Sequence, residues 1–299
     1  MTIREALLSA KVKLQKIKKQ KSQKNNELIW REAEDLLCFA ARQTRERVLS
    51  LNLNAPLSRA IKLRFDQAVK KRVRGVPLPY IIVHQRFYGL NFFVTPAVLI
   101  PRPETEALVD AAVAELKNVR TKERKNIKVV DIGTGSGCII TSLCSSVHPF
   151  IRSSVHFFAT DISAAALAVA KKNAKLHGVT REIKFLHGDL IKPLKQKPDL
   201  IVANLPYLKP EALRTNPALC QEPAGALVGG SDGLKQYERL FNQIKERKWE
   251  KLQIIFEISD WQKRKIIALL YKFWPFSRPR FIKNSHESVP FYGYQNRQD

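Results

Sequence analysis

The sequence of 299 residues lacks the features that mark secreted, membrane-spanning and metal-binding proteins. It has four cysteines and no Cys-x-x-Cys pair, so we expect them to be small buried side chains rather than metal ligands. No apolar run approaches the roughly 18 residues of a membrane-spanning helix. The first residues lead into a Lys-rich helical pattern without the apolar segment of a secretory signal. These absences favour a reduced, cytoplasmic environment, and the six scattered histidines predict no metal site.

Acidic residues are scarce. The chain holds 27 Asp and Glu against 52 Lys and Arg, which gives a net charge of +25. Residues 1–75 contain 19 basic and 7 acidic residues, so this quarter of the chain carries about half of the excess. Such a charge suggests that the basic surface contacts an acidic partner such as RNA or the ribosome. A generally Lys-rich composition would give the same charge, so charge alone does not name the partner.

Glycine is absent before Gly75, and this absence sets the N-terminal residues apart. Apolar residues recur there at helical spacing, without the alternation of a strand, and predict a small helical bundle. Gly75 and two nearby prolines end the helices, and strands at 80–83 and 86–94 form a predicted hairpin around Gly89. The predicted domains are a basic helical domain (1–75), a hairpin and linker (76–106) and an α/β domain (107–299).

From residue 127 onward, short apolar strands alternate with helices. Continuous apolar strands joined by helices are typical of a parallel sheet that is covered on both faces. The predicted strands are 127–132, 155–162, 183–186, 200–203 and 252–258, and the predicted helices are 107–116, 138–147, 164–177, 234–248 and 261–273. A terminal hairpin at 280–283 and 291–294 would complete seven strands. The sequence thus predicts an α/β, mostly parallel sheet beside the helical bundle.

A glycine-rich turn follows the first of these strands. Residues 131–137 read Asp-Ile-Gly-Thr-Gly-Ser-Gly, and glycine lets a ligand approach the backbone closely. The third glycine of a dinucleotide fingerprint is missing, and no Gly-Lys-Ser/Thr of a P-loop follows. The remaining Asp-x-Gly-x-Gly-x-Gly spacing resembles the first motif of Rossmann-like, class I S-adenosylmethionine methyltransferases. We therefore expect S-adenosyl-L-methionine as the cofactor.

Acidic residues at the next two strand ends support a methyl-donor site. Asp161 ends the second strand, where a carboxylate can accept hydrogen bonds from both hydroxyls of a ribose. Asp189 and Leu190 follow the third strand, at a position that resembles the contact with the adenine edge. A lone Asp is more often a helix cap. Two Asp residues at the ends of successive strands, beside the glycine turn, favour a cofactor site. The predicted cofactor-binding residues are Asp131, Gly133, Thr134, Gly135, Ser136, Gly137, Asp161, Asp189, Leu190 and Asn204.

The string Asn204-Leu205-Pro206-Tyr207 ends the fourth strand, at the sheet edge where ligands bind in α/β proteins. The Asn204 amide oxygen and the Leu205 carbonyl can accept both hydrogens of an NH2 group, and the Tyr207 ring can stack on a planar amide. Such hydrogen bonds raise electron density on the nitrogen and aim its lone pair at a methyl group. The predicted catalytic and substrate-binding residues are Asn204, Leu205, Pro206 and Tyr207.

Longer strings around these motifs resemble one family, the release-factor glutamine N5-methyltransferases. They include Ile-Pro-Arg-Pro-Glu-Thr-Glu at 100–106 and Glu222-Pro223, followed by Gly-Gly-Ser-Asp-Gly-Leu at 229–234. The resemblance implies methylation of the glutamine in the Gly-Gly-Gln loop of class I peptide chain release factors. It also implies that the N-terminal bundle docks the release factor, and that Glu222 and Pro223 belong to the substrate-binding loop.

Two departures from the family pattern leave other acceptors open. The family usually has Asn-Pro-Pro-Tyr, whereas Leu205 replaces the first proline here, and Asn-Leu-Pro-Tyr is typical of ribosomal RNA adenine dimethyltransferases. Residues 284–287 replace the family's Asp-x-x-Gly-x-x-Arg pattern. The alternatives are a ribosomal RNA adenine N6-methyltransferase, a glutamine methyltransferase of a ribosomal protein, and a non-catalytic RNA- or ribosome-binding module. The helical domain before the core and the Pro-Arg-Pro-Glu linker favour the release-factor enzyme.

Overall fold

The computed structural model describes residues 1–15, 23–50, 52–120, 126–282 and 291–295. The chain divides into two compact units, one with residues 1–84 and 217–221 and the other with residues 85–216 and 222–299. The divergent residues 284–287 lie outside the described ranges. None of the described helices has the length and apolar composition that crossing a membrane requires.

The first unit is helical. Its helices are α1 (Ile3–Gln15), α2 (Gln23–Ala41), α3 (Arg45–Leu49), α4 (Arg59–Val73) and α5 (Leu78–Ile82). Helical spacing gives α1 one buried face, formed by Ile3, Leu7, Ala10 and Leu14. Thr44 and Ser58 cap α3 and α4, where each side chain accepts the backbone N–H three residues later at 3.3 Å. The predicted helical bundle is confirmed for the described residues.

The strand predicted at 80–83 is wrong, because residues 80–82 belong to α5. Pro79 stands in the first turn of this helix, where the fixed φ of proline and its missing N–H cost little. An apolar run this short has no period that separates helix from strand. Val83 then takes a left-handed conformation, with φ 58°, and follows the end of the helix. The hairpin around Gly89 is present as β1 (His84–Phe87) and β2 (Leu90–Phe93).

The second unit alternates strands and helices in the predicted order. The helices are α6 (Glu106–Arg120), α7 (Cys138–Ser146), α8 (Pro149–Arg152), α9 (Ala164–Leu176), α10 (Glu211–Thr215), α11 (Lys235–Glu246) and α12 (Lys263–Phe273). The strands are β3 (Ile127–Ile132), β4 (Val155–Asp161), β5 (Ile183–His187), β6 (Leu200–Ala203), β7 (Gln253–Phe256), β8 (Arg278–Ile282) and β9 (Phe291–Gln295). Each strand and helix predicted after residue 106 is found, with bounds that differ by a few residues.

These strands form one sheet in the order β5-β4-β3-β6-β7-β9-β8. The first five in this order are parallel, and β9 runs antiparallel between β7 and β8. Asp131 of β3 pairs with Ala159 of β4 and Val202 of β6, so the carboxyl ends of the central strands lie level. The order reverses between β3 and β6, which is the place where α/β sheets bind ligands. The predicted Rossmann-like sheet and its terminal hairpin are confirmed.

Both faces of the parallel sheet are buried. Val129 and Val202 pack in a cluster with residues of α6, α7 and α9, whereas Val130 and Ile201 pack in a second cluster with residues of α11 and α12. Side chains alternate between the two faces along a strand, so a strand covered on both faces is apolar throughout. The carboxyl edge of the sheet is therefore where polar side chains reach a ligand.

The expectation that the cysteines are buried is correct for two of them. Cys138 and Cys144 are buried, and Cys38 is half-buried. The expectation is wrong for Cys220, which is exposed. It lies in a short 3₁₀ turn (Pro217–Gln221) within a connection, and connections run over the protein surface. Among the described residues, no group of His, Cys, Asp and Glu has the arrangement of a metal site.

Candidate active site

A cavity of about 280 Å³ lies within the second unit, beside the residues that follow β3, β4, β5 and β6. The predicted residues that line it are Gly133, Thr134, Gly135, Ser136, Asp161, Asp189, Leu190, Asn204, Leu205, Pro206 and Pro223. Four other predicted residues, Asp131, Gly137, Tyr207 and Glu222, are not part of this lining. The cavity combines apolar walls with a few polar groups, as small-molecule sites do.

The glycine turn brings backbone N–H groups and a carboxylate together. Gly133 and Gly135 have φ angles of 70° and 55°, which glycine adopts without strain. Oδ2 of Asp161 accepts the Gly135 N–H at 2.8 Å, and Oδ1 accepts the Ser163 N–H at 2.8 Å. Each carboxylate oxygen keeps a lone-pair site for a further donor. The two hydroxyls of a nucleoside ribose therefore fit this carboxylate, as the predicted cofactor requires.

Gly137 and Asp131 shape the turn from outside the cavity. A Cβ at Gly137 would lie 2.9 Å from Cβ of Ala170 and 3.0 Å from its Cα, so only glycine lets α7 begin this close to α9. Asp131 is fully buried, and its Oδ2 accepts a 2.7 Å hydrogen bond from the Thr134 hydroxyl. Burial raises the pKa of Asp131 to about 7. Contact of these two residues with the cofactor stays a prediction.

Asp189 is held by residues of α11 that were not singled out from the sequence. Its carboxylate accepts hydrogen bonds from Arg239 Nη2 at 2.8 Å and from Gln243 Nε2 at 3.0 Å. These two residues are four positions apart and lie on one face of the helix, which is a spacing that sequence can show. Arg239 also lines the cavity. The orientation of Asp189 is thus fixed, while its contact with adenine remains an expectation.

The amide nitrogen of Asn204 donates hydrogen bonds to other residues of the protein. Nδ2 donates to Thr105 Oγ1 at 3.0 Å and to Glu257 Oε2 at 3.2 Å. The Leu205 N–H donates to the Tyr237 hydroxyl at 3.3 Å. No described residue donates a hydrogen bond to Oδ1 of Asn204 or to the Leu205 carbonyl. Two acceptors one residue apart are therefore available to an NH2 group.

The Tyr207 hydroxyl is fixed by the same carboxylate. It donates to Glu257 Oε1 at 3.0 Å, and burial, together with the Glu257 charge, raises the pKa of Tyr207. Glu257 is 2% exposed, and burial raises the pKa of its carboxyl. The hydrogen bonds from Thr105, Tyr207 and Asn204 lower this pKa and so oppose the effect of burial in part. Glu257 was not predicted from the sequence, although a carboxylate directly after β7 marks the carboxyl edge of the sheet.

Comparison with known proteins gives the family. The methyltransferase domain family matches residues 123–261, and the PrmC N-terminal domain family matches residues 13–82. A release factor glutamine methyltransferase of Bacillus anthracis is 36% identical over 247 residues, which cover 81% of this chain and 84% of the relative. The Moorella thermoacetica relative of that name is 44% identical over 211 residues, 70% and 71% of the two chains. The chain belongs to the release factor glutamine methyltransferase family.

The fold of this member of the family is also found in solved structures. The hMettl16 catalytic domain, solved in complex with the MAT2A 3'UTR hairpin 6, aligns with a TM-score of 0.56 at 15% identity. The alignment covers 88% of this chain and 93% of that chain. At this identity, the likeness concerns the fold alone.

Glu222, from a string typical of release factor glutamine methyltransferases, is a buried carboxylate. Its Oε2 accepts the Ile100 N–H at 3.0 Å, and its Oε1 pairs with the Arg102 guanidinium. These bonds join the Pro-Arg-Pro-Glu linker to the segment that contains Pro223, which lines the cavity. Both oxygens of Glu222 thus bind the protein, and its predicted contact with substrate is untested.

The glycines of the Gly-Gly-Ser-Asp-Gly string pack backbone against backbone beside the Asn-Leu-Pro-Tyr segment. A Cβ at Gly229 would lie 2.2 Å from the Pro206 carbonyl oxygen, and one at Gly233 would lie 2.2 Å from the Tyr207 carbonyl oxygen. The Leu208 N–H donates to the Leu227 carbonyl at 2.8 Å. The two strings of the release factor glutamine methyltransferase pattern therefore support one another.

Proposed function

We propose that the protein transfers a methyl group from S-adenosyl-L-methionine to the amide nitrogen N5 of the glutamine in the Gly-Gly-Gln loop of class I peptide chain release factors. The observation that carries this proposal is the acceptor pair formed by Asn204 Oδ1 and the Leu205 carbonyl on the cavity lining. A primary amide has two N–H hydrogens, and two acceptors one residue apart match them.

S-adenosyl-L-methionine supplies a methyl group on a sulfonium that becomes a neutral thioether when the methyl group leaves. Asp161 would accept the ribose hydroxyls, and the Gly133–Gly135 turn would let the cofactor approach the backbone closely. Asp189 and Leu190, which also line the cavity, would contact the adenine. These assignments are supported by the shared cavity and by the donor set of Asp161.

The acceptor pair acts on the glutamine by orientation. When Asn204 Oδ1 and the Leu205 carbonyl accept its two hydrogens, the nitrogen lone pair points toward the methyl carbon. The N–C bond forms as the C–S bond breaks, and the electron pair of that bond stays on sulfur. The methylated nitrogen then loses one proton to water, because it becomes more acidic as the bond forms. Orientation of reactants can supply part of about 7–11 kcal/mol of the barrier.

The acceptor can be identified with purified components. A release factor should become labelled by a labelled methyl donor, and a release factor with Glu in place of the Gly-Gly-Gln glutamine should not, because it has no NH2 group. Asn204→Ala should lower kcat/KM by about a hundredfold or more, as loss of one oriented catalytic hydrogen bond does. Its dissociation constant for S-adenosyl-L-methionine, measured by calorimetry, should stay within about threefold.

The matched control is Asn91→Ala, an exposed amide on β2, which should keep the wild-type rate. Labelling of ribosomal RNA without labelling of the release factor would overturn the proposal.

Leu205 is the observation that favours a second acceptor. The same pair of oxygens matches the exocyclic NH2 of adenine, so N6 of a ribosomal RNA adenine is one alternative acceptor. A glutamine of a ribosomal protein is the other alternative, and it is chemically closer to the proposed acceptor. Ribosomal RNA and ribosomal proteins therefore serve as competing acceptors in the same labelling assay.

The partner assignment is part of the same proposal. The helical domain (1–75) would dock the release factor, the hairpin and linker (76–106) would connect this domain to the α/β domain, and the α/β domain (107–299) would carry out the reaction. The proposed location of the reaction is the cytoplasm. The match of residues 13–82 to the PrmC N-terminal domain family supports this division. The excess of basic residues supports contact with the ribosome or RNA, and such contact weakens steeply as salt rises.

A further inference from the structure

The amide of Asn204 has two orientations of almost the same shape, related by a half-turn about the bond to its side-chain carbonyl carbon. One places the oxygen toward the substrate, and the other places the nitrogen there. Only the first accepts hydrogen bonds from the glutamine NH2. The direction of the amide is therefore a requirement of the reaction, and shape alone does not set it.

We propose that Glu257 is a positioning residue that sets this direction, an inference that rests on the proposed function. Its carboxylate faces three donors, the Tyr207 hydroxyl, the Thr105 hydroxyl and the Asn204 amide nitrogen, so it acts as the acceptor in this network. Nδ2 of Asn204 lies 3.2 Å from Glu257 Oε2, so the amide nitrogen is drawn to the protein side. In the reversed orientation, Oδ1 would face the carboxylate at this distance, and two acceptors would repel each other.

Other donors leave the carboxylate no freedom to turn away. The Tyr207 hydroxyl donates to Oε1 at 3.0 Å, and the Thr105 hydroxyl also bonds the carboxylate. Thr105 Oγ1 in turn accepts the Asn204 amide at 3.0 Å. The side chain of Glu257 is 2% exposed, so no water competes strongly for these bonds. Asn204 is thus directed by two groups that are themselves fixed.

Glu257 also contacts the Asn204–Leu205 peptide, through its backbone carbonyl and the Tyr237 hydroxyl. The Tyr237 hydroxyl donates to the Glu257 carbonyl, and the same hydroxyl accepts the Leu205 N–H at 3.3 Å. Tyr237 is fully buried, so this contact holds the Leu205 peptide against the end of β7. Glu257 thus orients Asn204 Oδ1 through its side chain, and through Tyr237 its backbone carbonyl holds the peptide between Asn204 and Leu205.

The substitution that tests the side-chain role is Glu257→Gln. Gln has the same shape, but its amide can donate a hydrogen bond to Asn204 Oδ1 as well as accept one from Nδ2. Either orientation of the Asn204 amide would then find a hydrogen-bond partner. The single-turnover rate at saturating cofactor and release factor should fall about tenfold to a hundredfold, the range expected for one charged hydrogen bond. The dissociation constant for cofactor and the KM for release factor should stay within about threefold.

A reciprocal pair distinguishes direction from mere structure. Asn204→Asp places two carboxylates against each other and should be nearly inactive. In the double variant Asn204→Asp with Glu257→Gln, the introduced Gln amide donates to one oxygen of the introduced carboxylate and leaves the other oxygen as the acceptor for the substrate. The double variant should therefore be at least about tenfold faster than Asn204→Asp alone, which a merely structural role would not produce.

The control is Glu238→Gln, which removes an exposed carboxylate of α11 that pairs with Lys272 and should leave the rate unchanged. Rates are normalised to the fraction of protein that binds cofactor, so a folding defect does not count as lost chemistry. A wild-type rate for Glu257→Gln, or a double variant no faster than Asn204→Asp, overturns the inference. If the wild type methylates no glutamine at all, the proposed function fails instead.

Discussion

Asp161 is the residue on which both the glycine turn and the cavity depend. Its two oxygens accept backbone N–H groups of Gly135 and Ser163, and its side chain also lines the cavity. Sequence predicted its place at a strand end, because strand bounds can be read from an apolar run. The bond to Gly135, 26 positions earlier, required the structure.

Cofactor affinity should depend on both oxygens of Asp161. Asp161→Asn keeps one acceptor oxygen, and its NH2 cannot accept from a ribose hydroxyl or from a backbone N–H. Because hydrogen bonds to a charged group contribute about 1.5–3 kcal/mol, the dissociation constant for S-adenosyl-L-methionine should rise about tenfold to a hundredfold. Calorimetry measures this, with Asp66→Asn, a surface partner of Lys62, as the control. An unchanged affinity would contradict the role of Asp161.

Asp131 gives a prediction about pH. Burial raises its pKa from the ordinary 3.8 to about 7, so the folded protein binds this proton more tightly than the unfolded chain. The stabilisation is therefore complete below pH 3.8 and is lost as pH rises toward about 7. Asp131→Asn removes this term. The free energy of unfolding of the variant, relative to the wild type, should rise between about pH 4 and 7 in urea titrations. A difference that is flat across this range would contradict it.

Residues whose partners are distant in sequence were the ones missed. Asn204 could be predicted because it follows an apolar strand and begins a recognisable string. Its partners Thr105 and Glu257 are 99 and 53 positions away, and a single sequence does not show such pairs. Thr105 lies directly before α6, and its second role, as a buried acceptor for Asn204, required the structure.

At the scale of elements, long and strongly patterned segments were predicted well. β3 and β6 have the predicted bounds, because their apolar runs end in a turn or a proline. α5 was read as a strand, because five residues after a proline carry no visible period. The glycine turn was predicted as a ligand site, whereas Gly137 is explained by the contact of α7 with Ala170.

Gly137→Ala tests the helix contact. The new Cβ would meet Ala170 at 2.9 Å, and φ is 75°, so both a clash and backbone strain arise. Gly178→Ala is the matched control, since its φ is 71° and nothing lies within 4 Å of its Cβ. Strain alone costs about 1 kcal/mol, and overpacking adds about 1–3 kcal/mol. The free energy of unfolding should therefore fall further for Gly137→Ala, and equal losses would contradict the packing role.

At the scale of the whole molecule, the fold followed from pattern and the substrate did not. Alternating strands and helices give the sheet, because its faces must be covered by apolar residues. The acceptor depends on a surface that recognises a partner, and neither a net charge of +25 nor the clamp for an NH2 group separates glutamine from adenine. The relatives of 36% and 44% identity are named as glutamine methyltransferases, and the proposed acceptor rests on that likeness.

The most direct test of the central claim is tandem mass spectrometry of the release factor after reaction with the enzyme and S-adenosyl-L-methionine. We expect one methyl group on the side-chain nitrogen of the Gly-Gly-Gln glutamine, absent without enzyme and strongly reduced with Asn204→Ala. A methyl group on any other residue, or an unmodified release factor beside ribosomal RNA that carries N6-methyladenine, would contradict it.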